Sequence, residues 1–257
     1  MEIVTIKNKK PKVTYKGYDL YLKTLNEFGR RKIAKINLKD KKFADVFRNH
    51  LFGLEGPKRL KRKWAKADEI FSKIFYGFSE IMNSYESLLD CEIYVKQYPN
   101  YSSFKKRKIT RVRYLRYHIE KYFEEVYILK ARLEAYANMV KKYFKNDTKI
   151  VANIDKLKKS IFSPLEGIIK TRGSHVHISR YTDPELDRLS SLELLNWGEK
   201  PIPSLIIYSR KIVYPLLRNN WAKRIKDNNK ATKKLLDLYC DYMVKIVFDE
   251  KSDLKIK

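Results

Sequence analysis

Apolar residues recur every three or four positions along three long stretches of the chain. The first series consists of Ala67, Ile70, Ile74, Phe78, Ile81, Tyr85 and Leu88. Because an α-helix turns once in about 3.6 residues, this spacing places an apolar stripe on one face and predicts a helix over about 59–90. Two further series predict helices over about 109–145 and 150–171. Stripes of this length are typical of antiparallel helices that pack along each other.

Shorter elements are predicted in the C-terminal third of the chain. Asp183 is a good N-cap residue and Pro184 suits the first helical position, so a helix is predicted over about 184–196. Two last helices are predicted over about 205–226 and 230–249. Only eight glycines and eight prolines occur in 257 residues, too few for a β-rich or loop-rich protein. The pattern therefore predicts an all-α fold, a helical bundle with long antiparallel helices and shorter C-terminal helices.

The predicted bundle divides the chain into three parts. Residues 56–250 form one helical bundle domain, which begins at the glycine- and proline-containing stop signal of residues 53–57. Residues 1–55 form an N-terminal arm or a small helical extension, and residues 251–257 form a frayed basic tail. A hydrophobic content of 44% is sufficient for a core.

Several protein classes are disfavoured by the sequence. No run of about 18 apolar residues predicts a membrane span, and the lysine-rich N-terminus lacks the apolar region of a signal peptide. Cys91 and Cys240 have no metal-binding spacing and are interpreted as reduced thiols of an intracellular protein. Glycine-rich phosphate loops and the HExxH metal motif do not occur. We therefore expect a soluble, cytoplasmic protein with no cofactor, no metal and no membrane partner.

The charge balance indicates an anionic partner. Lysine and arginine number 57 against 30 acidic residues, a formal net charge of +27, which attracts polyanions such as nucleic acid. Two basic segments are the candidate contacts with a phosphate backbone. Their residues are Lys58, Arg59, Lys61, Arg62 and Lys63 in the first segment, and Lys105, Lys106, Arg107, Lys108, Arg111, Arg113, Arg116 and His118 in the second. The alternative is a lysine-rich composition that is spread over the surface for solubility.

Aromatic residues follow the helical spacing in two clusters. The clusters are Phe71, Phe75, Tyr76 and Phe78, and Tyr114, Tyr117, Tyr122 and Phe123. At this spacing most of the rings are expected in the core. The alternative is that some of them stack on unpaired bases.

Residues 168–177, IIKTRGSHVH, contain the candidate catalytic residues. Arg172 and His177 are separated by Gly173 and three further residues, and a helix can break at the glycine and let the two side chains converge. This Arg-x4-His arrangement resembles the Arg-x4–6-His motif of the HEPN superfamily, the higher eukaryotes and prokaryotes nucleotide-binding domains. The likeness covers the helical frame of about residues 60–250 loosely and the six-residue motif specifically.

The resemblance implies a metal-independent endoribonuclease in which two copies of the chain meet to form one site. Arg172 would stabilise the charge on phosphorus, and His177 would exchange a proton as base or acid. His175, or His177 of the second copy, would supply the complementary proton transfer. The same resemblance implies an RNA substrate, a homodimer and an antitoxin-type partner in a toxin–antitoxin or defence system.

Other interpretations of the histidine segment stay open. It could be an ordinary helix terminus that carries two surface histidines. His175 and His177 could also bind zinc, although this needs a further ligand. The nearby acidic residues that could supply it are Asp183, Glu185 and Asp187, which are otherwise interpreted as complements to a helix dipole.

Two alternatives apply to the protein as a whole. It could be a non-catalytic basic module that binds nucleic acid, or a helical scaffold without enzymatic activity. Arg111 and His118 share one face of a helix and form a secondary candidate pair, better suited to phosphate contact than to catalysis.

Overall fold

Helices account for almost all of the described chain. The computed structural model describes residues 16–34, 66–99, 101–163, 183–195 and 202–255, and these ranges contain no β-strand. The helices are α1 (Gly17–Ala34), α2 (Lys66–Lys96), α3 (Ser102–Lys106), α4 (Arg111–Tyr143), α5 (Thr148–Phe162), α6 (Pro184–Leu195), α7 (Pro203–Tyr208) and α8 (Tyr214–Val247). A π-helical turn, Ser209–Val213, joins α7 to α8. The predicted all-α class and helical bundle are confirmed.

The long helices α2 and α4 pack antiparallel in the unit that contains the described residues from 66 to 235. Tyr94 near the end of α2 stacks on His118 near the start of α4. Towards the opposite ends, the ring centroids of Phe78 and Tyr136 are 6.4 Å apart. A Cβ atom at Gly77 would lie 2.8 Å from the Tyr136 ring, so glycine permits the close approach of the two helices here.

The predicted apolar stripes form the interface between these helices. The buried residues are Ile70, Ile74, Phe78, Ile81, Tyr85 and Leu88 on α2, and Leu115, Ile119, Tyr122, Val126, Leu129, Leu133, Tyr136 and Val140 on α4. Helix α2 continues to Lys96, past the predicted end at 90, because Cys91 and Val95 extend its buried stripe.

Helix α5 forms a hairpin with α4. Asp147 caps its N-terminus, since its Oδ1 accepts a hydrogen bond of 3.0 Å from the N–H of Ile150. Lys141 and Asp155 form an ion pair of 2.7 Å across the hairpin. The helix is described as far as Phe162, and the predicted continuation to residue 171 lies outside the described residues.

Helix α6 begins as the sequence predicts. Asp183 Oδ1 accepts hydrogen bonds of 2.9 and 3.0 Å from the N–H groups of Glu185 and Leu186, and Pro184 is the first helical residue. Leu186 and Leu189 are buried, and α6 packs against α4.

The prediction of two separate helices over 205–226 and 230–249 is wrong. Helical structure runs without a break from Pro203 to Val247. Asn229 lies at the predicted break, but it is buried and its Nδ2 donates a hydrogen bond of 3.1 Å to the carbonyl of Leu88. This tertiary hydrogen bond lets a poor helix former remain inside the helix.

The irregular turn of this helical run lies earlier, just before Pro215. The N–H of Tyr214 donates to the carbonyl of Ser209, five residues back. Proline has no N–H, and in a regular α-helix its ring would clash with the carbonyl four residues back. A wider π-helical turn at 209–213 accommodates the ring.

A separate unit contains α1 and the chain from Leu236 to Lys255. Two aspartates of α8 cap α1: Asp241 Oδ1 accepts from the N–H of Gly17 at 2.6 Å, and Asp237 Oδ1 accepts from the N–H of Tyr18 at 3.0 Å. Gly17 has a φ of +57°, and a Cβ atom there would lie 2.6 Å from Asp237 Cβ. Only glycine suits this position.

The C-terminal residues of this unit turn back on the end of α8. Phe248 forms an isolated antiparallel bridge with Leu254. The guanidinium of Arg31 donates hydrogen bonds of 3.3 and 2.6 Å to the carbonyls of Lys251 and Ser252. Residues 251–255 are therefore held in a turn, where the sequence predicts a frayed tail.

Both cysteines are buried and free, as core thiols are expected to be. Burial raises the pKa of the Cys91 thiol to about 11, so this thiol stays protonated near neutral pH. Among the described helices, none is long and apolar enough to cross a membrane.

Candidate nucleic-acid interface

Many of the predicted site residues lie outside the described part of the chain. These are the candidate catalytic residues Arg172, His175 and His177, and the first basic segment, Lys58, Arg59, Lys61, Arg62 and Lys63. Their predicted roles rest on the sequence. Of the second basic segment, the side chains from Lys106 to His118 are described, while that of Lys105 is not.

Four cations of the second segment face solvent around a single turn. Lys106 ends α3, Arg107 and Lys108 form the connection, and Arg113 lies in the first turn of α4. The connection is held by hydrogen bonds from the N–H of Ile109 to the carbonyl of Phe104 (2.9 Å) and from the N–H of Arg107 to that of Ser103 (3.0 Å).

These four residues, Lys106, Arg107, Lys108 and Arg113, are named the basic surface. All four are exposed, and none forms an ion pair with another described residue. No ion pair within the described part of the chain therefore neutralises their charge. Their dense clustering, rather than their number alone, distinguishes them from an evenly spread lysine-rich surface.

Other predicted phosphate contacts are engaged within the protein. Arg116 is largely buried, and its Nη2 lies 2.8 Å from Asp187 Oδ1 and 3.0 Å from Ser190 Oγ, which joins α4 to α6. The guanidinium of Arg111 lies over the rings of Tyr98 and Tyr214, 5.7 and 5.5 Å from their centroids. Both arginines thus stabilise the fold beside the basic surface.

His118, the other member of the secondary candidate pair, packs among tyrosines. Its ring centroid is 4.4 Å from that of Tyr114 and 5.1 Å from that of Tyr94. Burial lowers the pKa of His118, so the neutral imidazole is favoured. This environment suits a packed aromatic ring better than a cation that contacts phosphate.

The N-terminus of α4 is already capped from within the protein. Thr110 Oγ1 accepts a hydrogen bond of 3.1 Å from the N–H of Arg113. The Glu193 carboxylate of α6 accepts from the Thr110 hydroxyl and from the N–H of Val112, although burial outweighs these bonds and raises the pKa of Glu193. Free backbone donors at a helix start commonly bind anions. Because the N–H groups of Val112 and Arg113 are occupied, they are not available to an anion.

A cleft of about 410 Å³ opens between the start of α4 and the end of α6. Lys108, Arg113 and Arg116 contribute positive charge to its wall, and Glu193 contributes a carboxylate. Lys108 and Arg113 also belong to the basic surface, and the Glu193 carboxylate makes the cleft less suited to a phosphate group than the exposed part of that surface.

Exposed tyrosines adjoin the basic surface. Tyr94, Tyr101 and Tyr117 are exposed by 46%, 64% and 61%. The sequence pattern singled out Tyr117, but Tyr94 and Tyr101 were missed because they lie at the end of one helix and in the loop before another. The three tyrosines of the segment 94–101, directly before the densest basic stretch, are the signal that could have identified them.

The acidic residues that were considered as zinc ligands have other roles. Asp183 caps α6, and Asp187 pairs with Arg116. Within the described ranges, no group of three or more His, Cys, Asp or Glu side chains is arranged to hold a metal ion. Comparison of the chain with protein-family models, curated proteins and solved structures finds no match.

Proposed function

We propose that this protein binds nucleic acid, RNA in particular, through the basic surface at the start of α4. The observation that carries the proposal is the clustering of Lys106, Arg107, Lys108 and Arg113, all exposed and without a described ion-pair partner. Lysine attracts phosphate as a point charge, and arginine can grip two phosphate oxygens at once. The net charge of +27 adds a long-range attraction for a polyanion.

A charge-neutralising pair of substitutions tests this proposal against a matched control. Lys106→Gln with Arg113→Gln removes two charges from the basic surface. Lys142→Gln with Lys145→Gln removes two exposed charges near the other end of α4, about 44 Å from Arg113 along the axis.

The binding experiment measures fluorescence anisotropy of a labelled RNA oligonucleotide at physiological salt. The first pair of substitutions is expected to weaken binding about tenfold, from the loss of two phosphate contacts. The control pair should change affinity much less. Equal losses in the two variants would show that net charge alone, rather than the basic surface, governs binding.

A second candidate function is metal-independent RNA cleavage, which the sequence motif supports. Arg172 and His177 match the Arg-x4-His pattern of HEPN ribonucleases, and the all-α fold agrees with the frame of that superfamily. In this proposal the basic surface and the first basic segment hold the phosphate backbone. Arg172 stabilises the phosphorane, and His177 and His175 exchange protons with the 2′- and 5′-oxygens.

Cleavage is tested with the wild type, Arg172→Ala and His177→Ala, each in the presence of EDTA. Activity that survives EDTA and is lost in both variants is the expected result. Full activity in both variants, or no cleavage by the wild type, would contradict the ribonuclease proposal. Abolition by EDTA would favour a metal site at His175 and His177.

The same proposal includes a homodimer, with an antitoxin-type protein as a further partner. Apolar side chains that could contribute to a contact between copies are exposed on α6, on α7 and around the π-helical turn. They are Leu194, Leu195, Ile202, Ile207, Tyr208, Ile212 and Leu216. Because large exposed apolar patches commonly mark protein–protein contacts, we propose that a second copy covers this one. Sedimentation of the intact chain would report the mass of a dimer.

A further inference from the structure

A continuous network of aromatic rings lies where α2 ends and α4 begins. The ring of His118 is its centre. The ring centroids of Tyr94 and Tyr117 each lie 5.1 Å from that of His118, and Tyr114 lies at 4.4 Å. The Tyr94 ring is stacked on the imidazole at an interplanar angle of 29°, and the other two rings meet it edge-on.

The network continues from Tyr114 into the loop before α3. Tyr98 lies 5.5 Å and Phe104 5.9 Å from Tyr114, measured between ring centroids. Tyr101 joins the network through Phe104, at 6.0 Å. The hydroxyl of Tyr98 donates a hydrogen bond of 2.7 Å to the carbonyl of Ile109, which ties the loop to the turn that carries the basic surface.

Three of the seven rings are exposed, and pairwise contacts between neighbouring rings link all seven into one network. Tyr101, Tyr117 and Tyr94 are the exposed ones. Tyr98, Phe104, Tyr114 and His118 are half-buried and support them. The neighbouring rings restrict the motion of each exposed tyrosine. A base that stacks on such a ring therefore costs little side-chain conformational entropy.

Cations of the basic surface lie close in the chain to two of these exposed rings. Arg113 and Tyr117 are four residues apart on α4, so they share one face of the helix. Tyr101 directly precedes α3 and Lys106 ends this short helix, five positions or about 1.4 turns later. Phosphate-binding cations next to stacking rings are the arrangement by which proteins bind unpaired nucleotides, because every base has an aromatic face and every nucleotide has a phosphate.

We infer that Tyr94, Tyr101 and Tyr117 form a stacking platform for unpaired bases, so that this surface selects single-stranded over double-stranded nucleic acid. The inference rests on the proposed nucleic-acid binding and names its substrate class. In a duplex the faces of the bases are covered by their neighbours, and only phosphate contacts remain available to this surface. The basic surface therefore supplies attraction to both forms, and the tyrosines supply the preference.

The test compares two probes of about 12 nucleotides, within the usual range for single-strand binding sites. One is a uridine oligonucleotide and the other is the same strand paired with its adenine complement. Both carry 2′-fluoro groups in place of the 2′-hydroxyl that metal-independent cleavage requires, so the probes stay intact. The variants are Tyr101→Ala with Tyr117→Ala, and Tyr101→Phe with Tyr117→Phe. Tyr76→Ala is the control, because Tyr76 is equally exposed but lies about 27 Å from Tyr94 along α2.

The alanine pair is expected to lose about tenfold or more in affinity for the single strand, because each stacked base contributes substantially. Its affinity for the duplex should stay unchanged. The phenylalanine pair, which can still stack, and Tyr76→Ala should both bind the single strand as the wild type does. An equal loss on both probes, or no loss on either, would overturn the stacking platform.

The outcome separates this inference from the proposal on which it rests. If the wild type binds neither probe in a salt-dependent way, the proposed nucleic-acid binding itself fails. If the wild type binds both probes and the alanine pair binds each probe with the affinity of the wild type, the proposed nucleic-acid binding is retained and the stacking platform is wrong. Equal thermal unfolding of the variants and the wild type, expected because Tyr101 and Tyr117 are exposed, would exclude a loss of folding as the cause.

Discussion

At the scale of single residues, neighbouring cations at the start of α4 have different roles. Arg113 and Arg116 are three residues apart, yet Arg113 faces solvent and Arg116 pairs with Asp187. The sequence groups them together as phosphate contacts. It could not separate them, because the partner of Arg116 lies 71 positions away in the chain and an ion pair across such a distance leaves no local pattern. By contrast, the N-cap Asp183 was predicted, since the residues it caps are adjacent.

The half-buried imidazole of His118 predicts a dependence of stability on pH. Its pKa in the folded protein lies below the usual value of 6.5, so the unfolded chain takes up the proton first as the pH falls. Stability should therefore decrease as the pH drops from about 6.5 towards the lowered pKa. His118→Phe keeps a ring among the tyrosines and removes this titration.

The measurement is urea unfolding of the wild type and His118→Phe between about pH 7.5 and 5.5. The wild type is expected to lose more free energy of unfolding over this interval than the variant. Identical losses would contradict a burial-induced pKa shift. Comparing the two proteins removes the contribution of the other three histidines.

At the scale of helices, the sequence identifies the long elements well and their junctions less well. The stripes of α2 and α4 were predicted because burial on one face leaves a strong three/four spacing. The polar residues before Lys230 predict a break between two helices. In the structure α8 continues through them, and the side chain of Asn229 donates a hydrogen bond to the carbonyl of Leu88 on α2. Likewise, the cap that Glu193 provides for α4 comes from another helix and has no signature near residue 110.

The cap of α4 predicts a loss of stability without a change in the apolar core. Thr110→Val removes the hydroxyl that accepts from the N–H of Arg113 and donates to Glu193. The free energy of unfolding should fall by about 1 kcal/mol or somewhat more. Thr110→Ser keeps the oxygen and should lose less than half as much. Urea unfolding of both variants provides the measurement, and equal losses would argue against the cap.

At the scale of the whole molecule, the net charge of +27 is the basis for proposing a polyanionic partner. Within the described residues, the structure adds a cluster of exposed cations at the start of α4. The sequence could find the basic segment around residues 105–116 because the cations are adjacent in the chain. It could not find the aromatic network, whose members come from α2, a loop, α3 and α4 and meet only in the folded protein.

The basic surface predicts a strong effect of salt on RNA binding. Four phosphate contacts release about 0.7 counterions each from a single strand, which gives a slope of about −3 in a plot of log affinity against log salt. Raising the salt from about 50 to 200 mM should weaken binding roughly 50-fold. Anisotropy titrations at several salt concentrations give this slope. A slope near zero would mean that phosphate contacts contribute little.

Helix α1 lacks its described C-terminal partners during most of the synthesis of the chain. The aspartates that cap it, Asp241 and Asp237, are translated 224 and 219 positions after the residues they cap. At the usual rates of synthesis this is a delay of about 10–45 s, during which Tyr21 and Phe28 lack the C-terminal residues that bury them. Phe248, which packs against both rings, is translated 227 and 220 positions after Tyr21 and Phe28. Helix α1 is therefore completed long after it is translated, and its apolar face needs protection from aggregation for the whole of that time.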